Sequence, residues 1–332
     1  MTARLLAGDI GGTSTRVGLF DVVKGRIVPV AVEKYVSHDH PGLDAIVQVF
    51  RGQHGEPIQG ACFGVAGPVI AHHVETPNLA WDVDGSTLAR ALALPEVGLI
   101  NDLEANAHGV FTLGAADFVE LNAGATAPTG NIAVISAGTG LGEAGMYWDG
   151  ARHHPFATEG GHTDFAPHTD LELELARYLR GTLGGHVSWE RVVSGPGLAR
   201  IYEFLRDTGR AVEPAWLTEA LKVGDAPAVI STAALEGKSD LCVKALDLFV
   251  DAYGDEAGNL ALKLMATGGV YVGGGIAPRI IQKLREPRFM KAFADKGRLT
   301  PLLETIPVRV ITNDETALFG AARCAALRAS LL

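Results

Sequence analysis

An apolar strand, a glycine-rich turn and a second strand occur twice in this chain, and this repeat constrains the fold more than any other feature. The first copy has strands at residues 5–9 and 16–20 joined through Gly11-Gly12-Thr13. The second has strands at residues 132–136 and 143–148 joined through Gly138-Thr139-Gly140-Leu141-Gly142. Strands alternate with helical segments after each copy, which is typical of α/β crossovers. We therefore predict two related α/β halves around a cleft.

Length and charge restrict the class of protein. At 332 residues the chain exceeds the usual size of one domain, roughly 100–200 residues, which predicts two domains. The net charge is −10 and no cluster of basic residues occurs, which argues against nucleic-acid binding. No apolar run reaches the roughly 18 residues of a membrane span, and no secretory signal is recognisable. We expect a cytoplasmic protein that does not associate with a membrane.

Hydrophobic periodicity predicts the remaining elements. In the first half these are a third strand at 24–36, a helix begun by Pro41-Gly42, a strand at 61–65, a helix at 86–93 capped by Ser86, a strand at 97–100 and a helix from 103. In the second half they are helices at 171–183, 197–206, 214–223 and 241–265, a strand at 270–272, a helix begun by Pro278, a strand at 308–311, and a helix at 314–330 capped by Asn313 or Asp314. Gly254 and Gly258 would kink the long helix or press it against a neighbour.

Both glycine turns have features of phosphate sites. Asp9 stands at a strand end beside glycines that let a phosphate approach the backbone, and Thr13 offers a hydroxyl. The second turn has the same glycines and Thr139 without the carboxylate. A tight hairpin explains either turn equally well on its own. Their joint presence favours two walls that face one triphosphate.

Two other segments carry polar groups suited to a substrate. Asp102 follows a buried strand, where it could accept a proton from a hydroxyl nucleophile. Asn101 and Asp102 also precede a helix, and capping is the commoner role for such residues. Glu159 and His162 flank two glycines that disfavour a helix, so both side chains could bind sugar hydroxyls. Metal ligation by this loop is disfavoured because no third ligand has a recognised spacing.

The remaining glycine motifs are less informative. Gly273-Gly274-Gly275 after a strand permits close approach of a flat ring such as adenine, or of a packed helix. Residues 140–145 match the G-x-G-x-x-G pattern of dinucleotide sites, but a strand continues after them where that motif needs a helix N-terminus. We therefore predict that this match is accidental.

These motifs, taken in order, resemble the bacterial ATP-dependent glucokinase family over nearly the whole chain. The matching segments are residues 9–13 with Arg16, Asn101-Asp102, residues 138–142, residues 159–162, residues 194–197 and residues 273–278. The family implies a two-domain actin-like or hexokinase-like ATPase fold, with a ribonuclease H-like βββαβαβα core in each domain and a cleft between the domains. We expect residues 1–112 with 304–332 in a small α/β domain and 113–303 in a large α/β domain. A homodimer is also implied.

The resemblance implies a role for each matching residue. Asp102 looks like the general base that takes the proton of the glucose 6-hydroxyl, and Asn101 like a ligand of the sugar. Glu159 and His162 look like further sugar ligands, joined by Glu190, which spacing alone does not single out. The implied nucleotide-site residues are Asp9, Gly11, Gly12, Thr13, Gly138, Thr139, Gly140, Gly274 and Gly275. The implied partners are D-glucose and ATP, and Asp9 would position Mg²⁺, through water.

Two departures and two alternatives accompany this interpretation. The cysteine-rich zinc motif of related sugar kinases is absent, which favours the zinc-free branch. Glu143 follows the second phosphate turn, so either its carboxylate points away from the phosphates or the register of the turn is different. The chain could instead be a kinase of fructose or an N-acetylhexosamine. A sugar-sensing regulator is disfavoured because no helix-turn-helix precedes the first strand and Asp102 is present.

Overall fold

The computed structural model describes residues 3–76, 79–125 and 128–332. They form two compact units. The smaller unit comprises Met1–Asp117, Pro155–Ala157 and Asn313–Leu332, and the larger unit comprises Phe118–His154 and Thr158–Thr312. The domain boundaries expected from the sequence, at residues 112 and 304, stay a prediction.

The secondary structure alternates between strands and helices after each hairpin. The strands are β1 (Ala3–Ile10), β2 (Ser14–Val23), β3 (Arg26–Val36), β4 (Gly60–Val65), β5 (His73–Glu75), β6 (Asp82–Asp84), β7 (Gly98–Asn101), β8 (Phe118–Asn122), β9 (Ile132–Ala137), β10 (Leu141–Trp148), β11 (His153–Thr158), β12 (Gly269–Gly273) and β13 (Val308–Ile311). The α-helices are α1 (Leu43–Gln53), α2 (Gly85–Leu92), α3 (Asp102–Gly109), α4 (Asp170–Leu183), α5 (Gly195–Asp207), α6 (Ala215–Val223), α7 (Ala226–Leu235), α8 (Asp240–Leu264), α9 (Ile281–Leu284), α10 (Pro287–Ala294), α11 (Thr300–Glu304) and α12 (Thr316–Arg328).

The smaller unit contains a five-stranded sheet in the order β3-β2-β1-β4-β7. β1 is antiparallel to β2 and parallel to β4, and β4 is parallel to β7. Successive side chains of a strand point to opposite faces. Leu6 and Phe63 accordingly pack in a core with α1 and α2, whereas Leu5 and Cys62 pack in a second cluster with α3 and α12. Both faces of the central strands are therefore covered.

The larger unit repeats this arrangement in a six-stranded sheet, β11-β10-β9-β12-β13-β8. β9 is antiparallel to β10 and parallel to β12, and β12 is parallel to β13. The additional strand β8 lies antiparallel to β13 at the edge. The predicted duplication of a hairpin with α/β crossovers is thus confirmed within each unit, and the G-x-G-x-x-G match runs into strand β10.

The long helix α8 forms the centre of the larger core. A Cβ atom at Gly254 would lie 2.4 Å from the carbonyl oxygen of Phe289, and one at Gly258 would lie 2.3 Å from that of Phe293. Both partners belong to α10, so the glycines let the two helices pack backbone to backbone. Of the two roles expected for these glycines, close packing is the one observed. Among the described residues, no helix combines the length and apolar character needed to span a bilayer.

Three predicted helix starts are wrong. α2 is capped by Asp84, whose carboxylate accepts a hydrogen bond from the Thr87 N–H at 2.7 Å, because Ser86 already lies inside the helix. Turns follow β12, so α9 begins only at Ile281 and Pro278 does not start it. α12 begins at Thr316, after Glu315. Asn313 shapes the preceding turn instead, since its side-chain oxygen accepts from the Glu315 N–H at 2.9 Å.

Candidate active site

In the smaller unit, the polar candidates lie where parallel strands end. Asp9 is near the end of β1, and Asn101 ends β7. The loop after β4 lies between them, and its Gly67 carbonyl accepts a hydrogen bond from the Asn101 amide at 3.0 Å. The carboxyl edge of a parallel sheet is where α/β proteins bind ligands. The structure therefore places Asp9, Asn101 and Asp102 at the same edge of the sheet of the smaller unit.

The Asp9 carboxyl group has a perturbed acidity. Burial raises its pKa to about 6, against the opposing effect of Arg16, which pairs with Asp9 across β1 and β2. The Arg16 guanidinium donates to both the backbone carbonyl and the side-chain carboxylate of Asp314. Because Asp314 also raises the pKa of Asp9, this edge carries excess negative charge that a cation would balance.

Of the neighbouring Asn101 and Asp102, Asn101 has the capping role that the sequence left open for both. The Asn101 side-chain oxygen accepts from the Leu103 N–H at 2.8 Å, so Asn101 is the N-cap of α3. Asp102 is the first residue of the helix, is half-buried, and accepts from the same N–H at 3.0 Å. A Cβ atom at Gly64 would lie 2.7 Å from the Ala105 side chain, so α3 lies directly against β4. This packing fixes where the Asp102 carboxylate stands.

The first glycine turn is held through its carbonyl groups. The Ser37 hydroxyl donates to the Gly11 carbonyl at 2.8 Å, and the Ser37 N–H donates to the Thr13 carbonyl at 3.1 Å. The Thr13 side chain is exposed, and Gly12 has no side chain to block access to the backbone. The Gly11 N–H already donates to the Ser14 carbonyl at 3.1 Å, so the geometry is compatible with an anion at the amide groups of Gly12 and Thr13.

The second glycine turn is braced from several elements of the larger unit. The Gly138 carbonyl accepts from the Gly195 N–H at 2.8 Å, which joins the turn to the start of α5. Gly274 has φ +82°, and a Cβ atom there would lie 2.3 Å from the Ala137 carbonyl oxygen. The buried Tyr253 hydroxyl accepts from the Ala137 N–H and donates to the Gly273 carbonyl, each at 3.2 Å. Only glycine fits at position 274.

A cavity of about 570 Å³ opens beside this second turn, within the size range of small-molecule sites. Its lining includes Thr139, Pro196, Asp225, Ser231, Gly275 and Arg279. Ser194 caps α5 by accepting from the Gly197 N–H at 3.0 Å, so a helix N-terminus also reaches this region. The sequence identified Gly138, Thr139 and Gly275. It gave no signal for Asp225 and Ser231, at the N-cap and in the body of α7, or for Arg279 in the turns after β12, because all three are far from the second glycine turn in the chain.

Glu159 and His162 stand on one short 3₁₀ turn. His162 Nε2 and Glu159 Oε2 are 3.9 Å apart, and both side chains are about 60% exposed. The turn is seated on β10, since a Cβ atom at Gly161 would lie 2.1 Å from the Leu141 carbonyl oxygen. The predicted convergence of a carboxylate and an imidazole on one loop is observed, and both groups face solvent where a polar ligand can reach them.

Glu190 lies beside both the loop and the second glycine turn. Its Oε2 accepts from the Leu141 N–H at 3.2 Å and approaches Gly140. The neighbouring Trp189 is buried and its N–H donates to the Thr163 carbonyl at 3.0 Å, which ties Glu190 to the segment after His162. The structure thus brings Glu159, His162 and Glu190 into one region of the larger unit.

Glu143 does not face the second glycine turn. Its side chain is buried, with the residue only 1% exposed, and burial together with the charge of Glu256 raises its pKa to about 8. Of the two explanations for this residue, a carboxyl group directed away from the phosphates is the one observed.

Within residues 3–76, 79–125 and 128–332, one other group of side chains has metal-ligand chemistry. Ligand atoms of His168, Glu172 and Asp255 lie within 4.8 Å of one another. Glu172 Oε2 already accepts from the N–H groups of His168 and Thr169 at 3.0 Å, and Lys296 Nζ lies 3.3 Å from Asp255 Oδ1. These contacts give the cluster a structural role. Glu172 forms the capping box of α4, and Asp255 forms an ion pair with Lys296.

Comparison with known proteins gives consistent matches. The family model described as Glucokinase matches residues 6–328. A glucokinase of Synechocystis sp. is 45% identical over 98% of this chain and 99% of its own length. The crystal structure of a glucokinase from an Antarctic psychrotroph is 34% identical with a TM-score of 0.85, covering 98% and 99% of the two chains. A ROK family glucokinase from Streptomyces griseus, solved with glucose and AMPPNP, shares the fold at 22% identity and a TM-score of 0.63, covering 98% and 100% of the two chains.

Proposed function

This chain belongs to the glucokinase family, and on that premise we propose that it transfers the γ-phosphoryl group of ATP to the 6-hydroxyl of D-glucose, with Asp102 as general base. The chain has the two-domain actin-like ATPase fold of this family, which it shares with the glucokinases that match it in sequence and in structure. The proposal assigns proton acceptance to the smaller unit and recognition of the sugar mainly to the larger one, with Asn101 of the smaller unit as an additional sugar ligand.

One observation carries the assignment of the base. Asn101 occupies the N-cap of α3, so helix capping does not require the carboxylate of Asp102. The Asp102 carboxylate stands at the carboxyl edge of a parallel sheet on a helix held against β4. In the proposed reaction it accepts the hydroxyl proton while the sugar oxygen bonds to the γ-phosphorus, and the bond to the leaving ADP breaks.

Sugar recognition is proposed for four side chains. Glu159, His162 and Glu190 offer two carboxylates and an imidazole to the sugar hydroxyls. The Asn101 side-chain oxygen accepts from the Leu103 N–H, and one of its amide hydrogens is donated to the Gly67 carbonyl. Its second amide hydrogen is proposed to be donated to the sugar.

The nucleotide is proposed to use both glycine turns. The backbone amide groups of Gly12, Thr13, Thr139 and Gly140 would hold phosphates. The N–H groups of Gly11 and Gly138 close their turns by donating to the carbonyls of Ser14 and Gly140. The cavity beside Gly275 has the size for the adenosine part, and Gly274 and Gly275 present no side chain toward it.

Mg²⁺ fits the charge distribution at Asp9. The half-buried Asp9 carboxyl group has a raised pKa and lies near the carboxylate of Asp314, so a bound cation would stabilise its ionised form. Asp9 would hold the ion through water, since Mg²⁺ keeps several waters of its own. When bound, the ion neutralises charge on the phosphate oxygens.

Cytoplasmic location and a homodimer are part of the proposal. Both are carried over from the glucokinase family to which the chain belongs. Light scattering on the purified protein at micromolar concentration tests the second; a mass of one chain contradicts it.

A coupled ADP-release assay tests the function. Purified protein is given ATP and Mg²⁺ with glucose, mannose, fructose, N-acetylglucosamine or N-acetylmannosamine in turn. The proposal expects the highest kcat/KM with glucose. Preference for another hexose overturns the sugar assignment but keeps the role of Asp102, whereas calorimetric sugar binding without turnover indicates a sugar-sensing regulator.

A further inference from the structure

The buried Glu143 lies directly under the loop that carries Glu159 and His162. A Cβ atom at Gly160 would lie 1.9 Å from Glu143 Oε2 and 2.7 Å from its Cδ, so the carboxyl group touches the backbone of Gly160. Thr158 also links the backbones of Glu143 and Gly160. Its Oγ1 donates to the Glu143 carbonyl at 3.1 Å and accepts from the Gly160 N–H at 3.2 Å. Strand β10 therefore supports the loop from below.

A second buried carboxyl group faces Glu143 from helix α8. Glu256 is fully buried, and its two oxygens accept from Lys263 Nζ and from the Asn259 amide, each at 2.9 Å. Tyr253 of the same helix also faces Glu143, and the exposed Glu159 and His162 are the titratable groups of the loop. Among these described groups Lys263 supplies the positive charge, which balances one carboxylate and not two.

The uncharged form of Glu143 is the one that this arrangement accommodates. Burial and the charge of Glu256 raise the pKa of Glu143 to about 8, so the carboxyl group keeps its proton at neutral pH. A neutral acid can rest against the Gly160 backbone without repelling Glu256. Ionisation would bury a second negative charge beside Glu256 at this contact, which disfavours the position of Gly160 against the carboxyl group.

We propose that Glu143 is a positioning residue for sugar binding, which acts as an uncharged support of Gly160 and so sets the orientation of Glu159 and His162. This inference rests on the proposed function, because it assumes that those two side chains bind the substrate. It deepens that function by linking hexose affinity to the protonation of a residue that does not touch the hexose.

Three variants test the inference. Glu143→Gln preserves shape and neutrality, Glu143→Leu removes the polar contact, and Gly160→Ala places a methyl group against the carboxyl group. Glu203→Gln and Glu203→Leu, on the exposed face of α5, serve as matched controls. For each, KM for the hexose, KM for ATP and kcat are measured from pH 6.5 to 9.5, and circular dichroism with thermal unfolding verifies folding.

The expected result is a change in KM for the hexose, with little change in KM for ATP. In the wild-type protein KM for the hexose rises by about tenfold between pH 7 and pH 9, because only about a tenth of a group with a pKa near 8 stays protonated at pH 9. Glu143→Gln keeps the neutral-pH KM within about twofold and loses this rise. Glu143→Leu and Gly160→Ala raise KM for the hexose by about tenfold at all pH values, with KM for ATP within about twofold.

Contrary results are distinguishable. A Glu143→Gln variant that keeps the wild-type pH profile overturns the inference, and this test stands even if Glu143→Leu does not fold. A folded Glu143→Leu variant with unchanged KM for the hexose also overturns it while leaving the proposed function intact. A wild-type protein that binds no hexose by calorimetry defeats the proposed function itself, and this inference with it.

Discussion

The two glycine hairpins have the same backbone arrangement but place their carboxyl groups differently. In the first, Asp9 stands near the end of the leading strand, beside the turn. In the second, Glu143 stands on the returning strand and points into the core against Glu256. Burial raises the pKa in both cases, to about 6 for Asp9 beside Arg16 and to about 8 for Glu143 beside a second acid. The same backbone arrangement thus holds two carboxyl groups of different acidity. The difference comes from the neighbouring charges, which are Arg16 beside Asp9 and Glu256 beside Glu143.

The two units differ in the same way. The smaller unit carries Asp9 and Asp102, whose proposed roles belong to the reacting atoms. The larger unit carries Glu159, His162 and Glu190 on short turns braced by backbone contacts, and their proposed roles are ground-state contacts with the sugar. This division predicts losses of kcat from changes at Asp9 and Asp102 and losses of sugar affinity from changes at Glu159, His162 and Glu190.

Removal of Mg²⁺, which tests the role proposed for the first hairpin, is expected to have the largest effect on activity. A chelator in excess over Mg²⁺ is expected to abolish phosphoryl transfer, because the phosphate charge then lacks its counterion. Thermal unfolding should stay unchanged, since the metal is proposed to serve the substrate and not the fold. Activity is measured by ADP release, and readdition of Mg²⁺ is the control. Sustained turnover in chelator would contradict the role given to Asp9.

Asp102→Asn is expected to lower kcat by roughly 10²–10⁴-fold, the usual contribution of a general base. Glucose affinity, measured by calorimetry, should be largely kept, because the proton moves only during the reaction. Asp44→Asn, on the exposed face of α1 in the same unit, is the matched control. A near-normal kcat would remove Asp102 from the mechanism.

Glu190→Gln is expected to raise KM for glucose by about tenfold, because an amide replaces a charged acceptor of a sugar hydroxyl. KM for ATP should change far less. Steady-state kinetics with each substrate varied in turn separates the two, with Glu203→Gln as the control. If the variant weakens ATP and spares glucose, the contact of Glu190 with the second glycine turn is its main role.

The last expected effect, no larger than that of Glu190→Gln, is the pH dependence of Mg²⁺ affinity. Asp9 must be ionised to hold a cation, and its pKa is raised to about 6, so the affinity is lost as the pH falls through about 6. Between pH 7 and pH 5 the apparent affinity should fall by roughly tenfold more in the wild-type protein than in Asp9→Asn, whose profile reports the protonation of ATP itself. Parallel profiles would show that Asp9 does not titrate against the metal.

Local features of the sequence predicted much of the fold. Short apolar runs identified β1 and β9, and the strands β2 and β10 were placed directly after the glycine turns, because strand pattern and turn are encoded within a few residues. Helix starts were less secure. Asp84 and Asn313 shape the entries to α2 and α12, and several polar residues near each start are chemically capable of capping.

The sequence by itself determined the duplicated hairpin, the glycines that only a tight turn or a close approach requires, and the candidate polar residues Asp9, Asp102, Glu159 and His162. Tertiary structure decided what lies beside them. Glu190 reaches Leu141, Asp225 and Arg279 line one cavity, and Glu256 faces Glu143, although these partners are far apart in the chain. The acidity of a buried group depends on its desolvation and on nearby charges, and both are set by packing between distant segments, which no local pattern records.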